Sequence, residues 1–160
     1  SEKMNEPDIM VYLMTGFLDS GKTQFLKFTL AQDYFQIEGK TLLILCEEGE
    51  EEYNPGEMLK YGVVIEQVED QKDLTEEWLQ KMQEKHQPER VIVEYNGMWK
   101  LDDLTSVFPA RWELYQIVTT VEASTFALYS ANMGPMMFEH ITTADLVVFN
   151  RCTDALKEML

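Results

Sequence analysis

The chain has 160 residues, of which 45% are hydrophobic, as expected for one globular domain with a core of its own. Its net charge of −16, from 29 acidic and 13 basic residues, argues against a nucleic-acid partner, because phosphate backbones are bound by clustered Lys and Arg. No apolar run reaches the roughly 18 residues of a membrane span, and the 2 cysteines cannot form a disulfide framework. We therefore expect no nucleic-acid partner, no membrane partner and a cytoplasmic location.

Short apolar runs alternate along the chain with segments of helical periodicity. One helical segment runs from Gly21 to about Asp33, and a second follows a capping box at Asp73–Glu76. Further helical segments are predicted at 124–132, at 136–140 and from Ala155 onward. The acidic segment 46–57 has no periodicity and contains Pro and Gly, which predicts a loop. The apolar runs predict strands at 9–14, 41–45, 63–68, 90–94, 114–121 and 145–149. This alternation predicts an α/β fold, a three-layer sandwich with a mostly parallel sheet.

The segment GFLDSGKT, residues 16–23, has the spacing of a phosphate-binding loop, with a strand before it and a helix after it. Glycines allow backbone N–H groups to surround phosphate oxygens, and the helix that begins there adds its positive end. We expect Gly16, Ser20, Gly21 and the first helical residues to contact nucleotide. Lys22 would bind the β- and γ-phosphates, and the Thr23 hydroxyl would face magnesium. A chance match in a strand-to-helix turn is the alternative.

The other residues of this loop and its first helical turn are assigned to the nucleotide as well. Gln24 follows Thr23 directly and is included among the nucleotide-binding residues. Asp19 adds a negative charge to an anion-binding loop, which weakens the site unless the side chain faces outward or caps the helix.

A second candidate lies in VIVEYNG, residues 91–97, where Glu94 ends a predicted strand. A carboxylate at the carboxyl end of a parallel strand lies where open α/β sheets bind ligands, and Glu94 could organise magnesium or the attacking water. A strand that merely ends in a solvated Glu explains the segment equally well.

These segments, in this order, resemble the CobW/HypB/UreG family of P-loop GTPases from about Met10 to Asp154. GFLDSGKT resembles that family's phosphate loop, and Glu94 with Gly97 resembles its Glu-containing third motif. LLILCEEGE, VTTVEASTF and HITTADLVVFNR are similar to further family segments. The resemblance implies a P-loop NTPase fold, bound Mg²⁺ and GTP, and catalytic roles for Lys22 and Glu94. The family's Cys-x-Cys-Cys metal motif has no counterpart here, so a thiolate metal relay is not expected.

The guanine-binding motif of that family departs from its pattern in this chain. The family has Asn-Lys-x-Asp, whereas the sequence here is Asn150-Arg151-Cys152-Thr153-Asp154. On the resemblance, Asn150, Arg151 and Asp154 would bind the base. Either a local bulge brings Asp154 into place or guanine is distinguished poorly from adenine, and Asp154 could instead cap the last helix. ATP therefore remains possible as the ligand.

The acidic run CEEGEEEY, residues 46–53, allows two interpretations. Its carboxylates could approach magnesium or a second hard cation, or they could form a solvated acidic loop. We expect Glu48 and Glu50 to lie near the site, as metal-facing residues together with Thr23 and Glu94, and the other glutamates to be solvated.

Three functions follow from these expectations. The first is a slow, switch-type GTPase that resembles CobW and is linked to metal-cofactor insertion or metal homeostasis. The second is a nucleotide-binding regulatory or interaction module with little hydrolysis, and the third is an ATP-using P-loop protein. Residues 1–8 are expected to be a disordered lead or an expression remnant, and residues 9–160 one P-loop nucleotide-binding domain truncated at its C-terminal end. Such a domain would self-associate through an open sheet edge or join a further C-terminal domain or a client metalloprotein.

Overall fold

A computed structural model describes residues 8–16, 22–46, 53–122 and 144–150. These residues form six strands and four α-helices. The strands are β1 (Ile9–Thr15), β2 (Thr41–Leu45), β3 (Val63–Gln67), β4 (Arg90–Glu94), β5 (Trp112–Glu122) and β6 (Leu146–Asn150). The helices are α1 (Lys22–Leu30), α2 (Pro55–Lys60), α3 (Glu76–His86) and α4 (Leu101–Thr105).

The strands form one sheet in the order β3-β2-β4-β1-β5-β6, and every pairing is parallel. All five residues of β4 are buried, as expected for a central strand with helices on both faces. One core cluster lies between the sheet and helices α3 and α4, and a second lies between the sheet and helices α1 and α2. The prediction of a three-layer α/β fold is therefore confirmed, and the described sheet is wholly parallel.

The predicted strands match the observed ones within one or two residues at each end. β5 begins at Trp112, before the predicted start at Leu114, and its pairing with β1 is shifted by one residue between Val11 and Tyr12. This shift leaves Tyr115 as the extra residue of a bulge, and the centroid of its ring lies 5.2 Å from that of the Tyr12 ring. The helices predicted at 124–132, at 136–140 and from Ala155 onward lie outside the described residues.

Three local predictions are wrong, each because a polar side chain makes a bond that periodicity does not reveal. The segment 46–57 is not loop throughout. Asn54 caps α2 by accepting a hydrogen bond from the Glu57 N–H, and Pro55 is tolerated in the first turn, where no backbone donor is needed. The cap of α3 is Thr75, whose hydroxyl accepts from the Trp78 N–H, and not Asp73.

The third correction concerns the end of α1. This helix ends at Leu30 and not near Asp33, and a 3₁₀ turn at Asp33–Phe35 follows. The Gln36 amide donates to the Leu30 carbonyl at 2.6 Å, which satisfies a carbonyl that the helix leaves without a partner. Within the described ranges, none of the helices has the length and apolar composition that would let it cross a membrane.

Candidate functional site

The strand order places a crevice between the carboxyl ends of β1 and β4. The chain leaves β1 toward β2 on one side of this pair and leaves β4 toward β5 on the other side. In open α/β sheets, ligands bind where neighbouring connections diverge in this way. Gly16 follows β1 and Glu94 ends β4, so two of the predicted site residues lie at this crevice. Gly16 has φ 142°, a backbone conformation that favours glycine.

Lys22, the first residue of α1, lies buried between the ends of these two strands. Its Nζ donates to the Gly16 carbonyl at 2.9 Å and to the Tyr95 carbonyl at 3.2 Å. Burial lowers the pKa of this ammonium to about 8, although the charge of Glu94 acts in the opposite direction. A compact cation is therefore held at the carboxyl ends of β1 and β4, next to Glu94.

Glu94 is only 1% exposed, and a hydroxyl donates to each of its carboxylate oxygens. Thr23, in the first turn of α1, donates to Oε1 at 2.9 Å. The phenol of Tyr53, which lies just before α2, donates to Oε2 at 2.5 Å. The interpretation of Glu94 as a solvated strand end is wrong, because β1 and β2 flank its strand and α1 covers it.

Thr23 and Glu94 offer the type of donor that magnesium takes. Both present hard oxygen atoms, and they already contact one another. Magnesium beside nucleotide phosphates needs one or two protein oxygens, with waters and phosphate oxygens completing the octahedron. No cluster of three or more His, Cys, Asp or Glu occurs among residues 8–16, 22–46, 53–122 and 144–150. The pair Thr23 and Glu94 therefore fits magnesium with nucleotide.

Cys46 lies at the same edge of the sheet, directly after β2. Its backbone N–H donates to the Glu94 carbonyl at 3.0 Å, and its thiol is fully buried. Burial raises the pKa of this thiol to about 12, with the Lys22 charge opposing and the Glu94 charge adding to the shift. The thiol is thus protonated at neutral pH when no metal is bound.

Threonine hydroxyls join the ends of β1 and β5, a contact that periodicity did not indicate. The Thr15 and Thr119 hydroxyls share a hydrogen bond at 2.6 Å, and Thr120 donates to the Thr15 carbonyl at 3.3 Å. All three side chains are buried. These bonds fix the strand end from which the phosphate loop begins.

Four of the predicted site residues lie together in the structure: Gly16, Lys22, Thr23 and Glu94. Gln24 lies in the same helical turn and is exposed. Asn150 ends β6, of which only the backbone is described here. The remaining predicted residues lie outside the described ranges; they are Asp19, Ser20, Gly21, Glu48, Glu50, Arg151 and Asp154.

Tyr53 is the site residue that sequence reasoning missed. It lies 41 residues from Glu94 in the chain and belongs to none of the nucleotide motifs. The available signal was its position as the last residue of the acidic run, immediately before the helix cap at Asn54.

The sequence matches a known protein family. Residues 10–159 match the family model described as CobW/HypB/UreG, nucleotide-binding domain. No curated protein matches the chain. The family match spans nearly the whole chain, and both the phosphate loop and the strand that carries Glu94 lie inside it.

Proposed function

The chain belongs to the CobW/HypB/UreG family of nucleotide-binding domains, and we propose that it is a switch-type P-loop GTPase that binds GTP with Mg²⁺ and hydrolyses it slowly. The observation that carries the proposal is the buried trio of Lys22, Thr23 and Glu94 at the carboxyl ends of β1 and β4. A phosphate-binding lysine, a hydroxyl for magnesium and a carboxylate are the groups that phosphoryl transfer needs at one point.

Each member of the trio has a role in this proposal. Lys22 binds the oxygens of the β- and γ-phosphates, and the N-terminal end of α1 adds its partial positive charge. The Thr23 hydroxyl oxygen would bind the metal while the hydroxyl continues to donate its hydrogen bond to Glu94. Glu94 would accept hydrogen bonds from water, both from a water bound to magnesium and from the water that attacks the γ-phosphate in line. Magnesium, when bound, neutralises charge on the β- and γ-phosphates.

We propose GTP and not ATP because of the family, with Asn150, Arg151 and Asp154 at the base. The same grounds support a cytoplasmic role in metal-cofactor insertion or metal homeostasis, with a client metalloprotein or a further domain as partner. Self-association through a sheet edge is proposed as well. Glu48 and Glu50 are proposed to approach the metal. A binding module with little hydrolysis is the second candidate, favoured by the irregular base motif, Asn150 to Asp154.

Isothermal titration with GTP, GDP and ATP, each with and without Mg²⁺, tests the proposal. We expect GTP and GDP to bind more tightly with Mg²⁺ and ATP to bind weakly. Lys22→Ala should abolish binding, while Lys81→Ala, which removes the same charge from an exposed position on α3, should leave it unchanged.

Each contrary result removes a distinct part of the proposal. Retained affinity in Lys22→Ala would disprove the phosphate-loop assignment. Equal affinity for ATP and GTP would remove the preference for guanine. Tight GDP binding without release of phosphate from GTP would favour the binding module.

A further inference from the structure

Glu94 is held by two hydroxyls, but the nucleotide motifs account for only one of them. Thr23 belongs to the phosphate loop, whereas Tyr53 is the last residue of the acidic run and lies just before α2. The Tyr53 bond is the shorter of the two, with its oxygen 2.5 Å from Oε2 compared with 2.9 Å between Thr23 Oγ1 and Oε1. Short bonds to a carboxylate are typical of strong, charge-assisted hydrogen bonds.

The surroundings of Tyr53 fix the position of its hydroxyl. The ring packs against the core cluster under α1 and α2, and the Lys27 ammonium lies 5.4 Å from the ring centroid. The next residue, Asn54, is locked as the cap of α2 by its bond to the Glu57 N–H at 3.1 Å. A ring held on one side by the core and on the other by a helix start has little freedom to leave Glu94.

Tyr53 is the donor in this contact. Its hydroxyl lies 2.5 Å from Oε2, and a carboxylate oxygen can only accept. One donor on each oxygen fixes both the rotation and the tilt of the carboxylate. Each oxygen has a second lone pair, which leaves Glu94 able to accept a further hydrogen bond.

We propose that Tyr53 is a positioning residue for magnesium at this site: its hydroxyl holds the Glu94 carboxylate in the one orientation that accepts a metal-bound water. The inference rests on the proposed function, since it concerns the same magnesium and nucleotide site. Tyr53 acts through Glu94 and does not itself contact nucleotide. It therefore sets the affinity for magnesium and leaves the affinity for nucleotide alone unchanged.

The test is Tyr53→Phe, which removes the hydroxyl and keeps the ring. Nucleotide binding is titrated with Mg²⁺ at fixed GDP, and GDP affinity is measured separately in EDTA. We expect the half-saturating Mg²⁺ concentration to rise about tenfold, a usual effect of losing a partner that orients a metal site, with GDP affinity in EDTA unchanged. Tyr61→Phe is the matched control, because Tyr61 packs against the same core cluster, and neither quantity should change in it.

A double-mutant cycle with Glu94→Gln separates this role from a structural one. If Tyr53 acts through the Glu94 carboxylate, Tyr53→Phe should have no further effect on Mg²⁺ in the Glu94→Gln background. A further loss there, an unchanged Mg²⁺ requirement in Tyr53→Phe, or equal weakening with Mg²⁺ and in EDTA would each overturn the inference. Failure of the unmutated protein to bind any nucleotide would overturn the proposed function and this inference together. The three results above, obtained with a parent protein that binds nucleotide, would overturn the inference alone.

Discussion

Thr23→Val gives the sharpest test of the site, because it removes one hydroxyl and leaves the shape of the side chain almost unchanged. Thr23 is 5% exposed and donates to Glu94 Oε1 at 2.9 Å. Valine fills the same space, so no cavity term enters, and the cost is the hydrogen bond to a charged acceptor, about 1.5–3 kcal/mol. Urea unfolding without nucleotide should show this loss.

Thr29→Val is the matched control for that substitution. Thr29 lies on the same helix, is half-buried, and donates to the neutral Phe25 carbonyl at 2.9 Å. Such a bond back to the preceding turn contributes little to a helix, so we expect a cost below about 1 kcal/mol. Equal costs for the two variants would refute the charge-assisted bond between Thr23 and Glu94.

The same pair of variants tests the metal. Thr23→Val should bind GDP in EDTA with nearly unchanged affinity. The gain in GDP affinity on adding Mg²⁺ should be smaller than in the parent by about tenfold or more, which corresponds to about 1.4 kcal/mol for the lost oxygen. Thr29→Val should keep the full increase. An undiminished effect of Mg²⁺ in Thr23→Val would show that this hydroxyl does not face the metal.

Two further predictions concern the sheet away from the site. Arg90→Lys should lower the free energy of unfolding by about 1–3 kcal/mol, because lysine cannot reproduce the two hydrogen bonds from the guanidinium to the Thr41 hydroxyl. Urea unfolding measures this loss, and isothermal titration should show an unchanged nucleotide affinity. Burial tends to raise the pKa of Glu66, but hydrogen bonds from Lys85 and His86 outweigh it and hold the pKa below its usual value of 4.5. A carboxyl group whose pKa is lower in the folded state stabilises the fold at pH values above its unfolded-state pKa, and this stabilisation is lost as the pH falls through its folded-state pKa. Glu66→Gln should therefore be less stable than the parent near neutral pH and equally stable well below pH 4.5. A constant difference at all pH values would contradict this.

Hydrophobic periodicity was sufficient to predict the strands of the sheet, because the pattern of each strand lies within a short segment of the sequence. Fully buried strands such as β2 and β4 appear as continuous apolar runs, and the phosphate-loop spacing is itself a backbone requirement. The parallel arrangement then placed Gly16 and Glu94 at one edge without any knowledge of their contacts. The family resemblance, carried by the order of these segments, agrees with the match over residues 10–159.

The partners of polar side chains could not be predicted in this way. Arg90 is a charged residue at the start of an otherwise apolar predicted strand, yet it is 7% exposed and bonded to Thr41, 49 residues away. The bond from Tyr53 to Glu94 is of the same kind, since it depends on where α2 begins relative to β4. Pro55 was interpreted as a loop residue because its effect depends on whether a cap precedes it.

The burial of Lys22 and Glu94 connects the stability of the fold to its ligand. An ammonium that is 4% exposed and a carboxylate that is 1% exposed both lose hydration on folding, which opposes folding unless new partners compensate. For Lys22 the compensation is incomplete, because burial lowers its pKa to about 8 despite the nearby charge of Glu94. An anion placed against Lys22 adds a further opposite charge at a buried position, where water screens the attraction less than at the surface. We therefore expect the burial of Lys22 to favour a phosphate over a neutral ligand at this position.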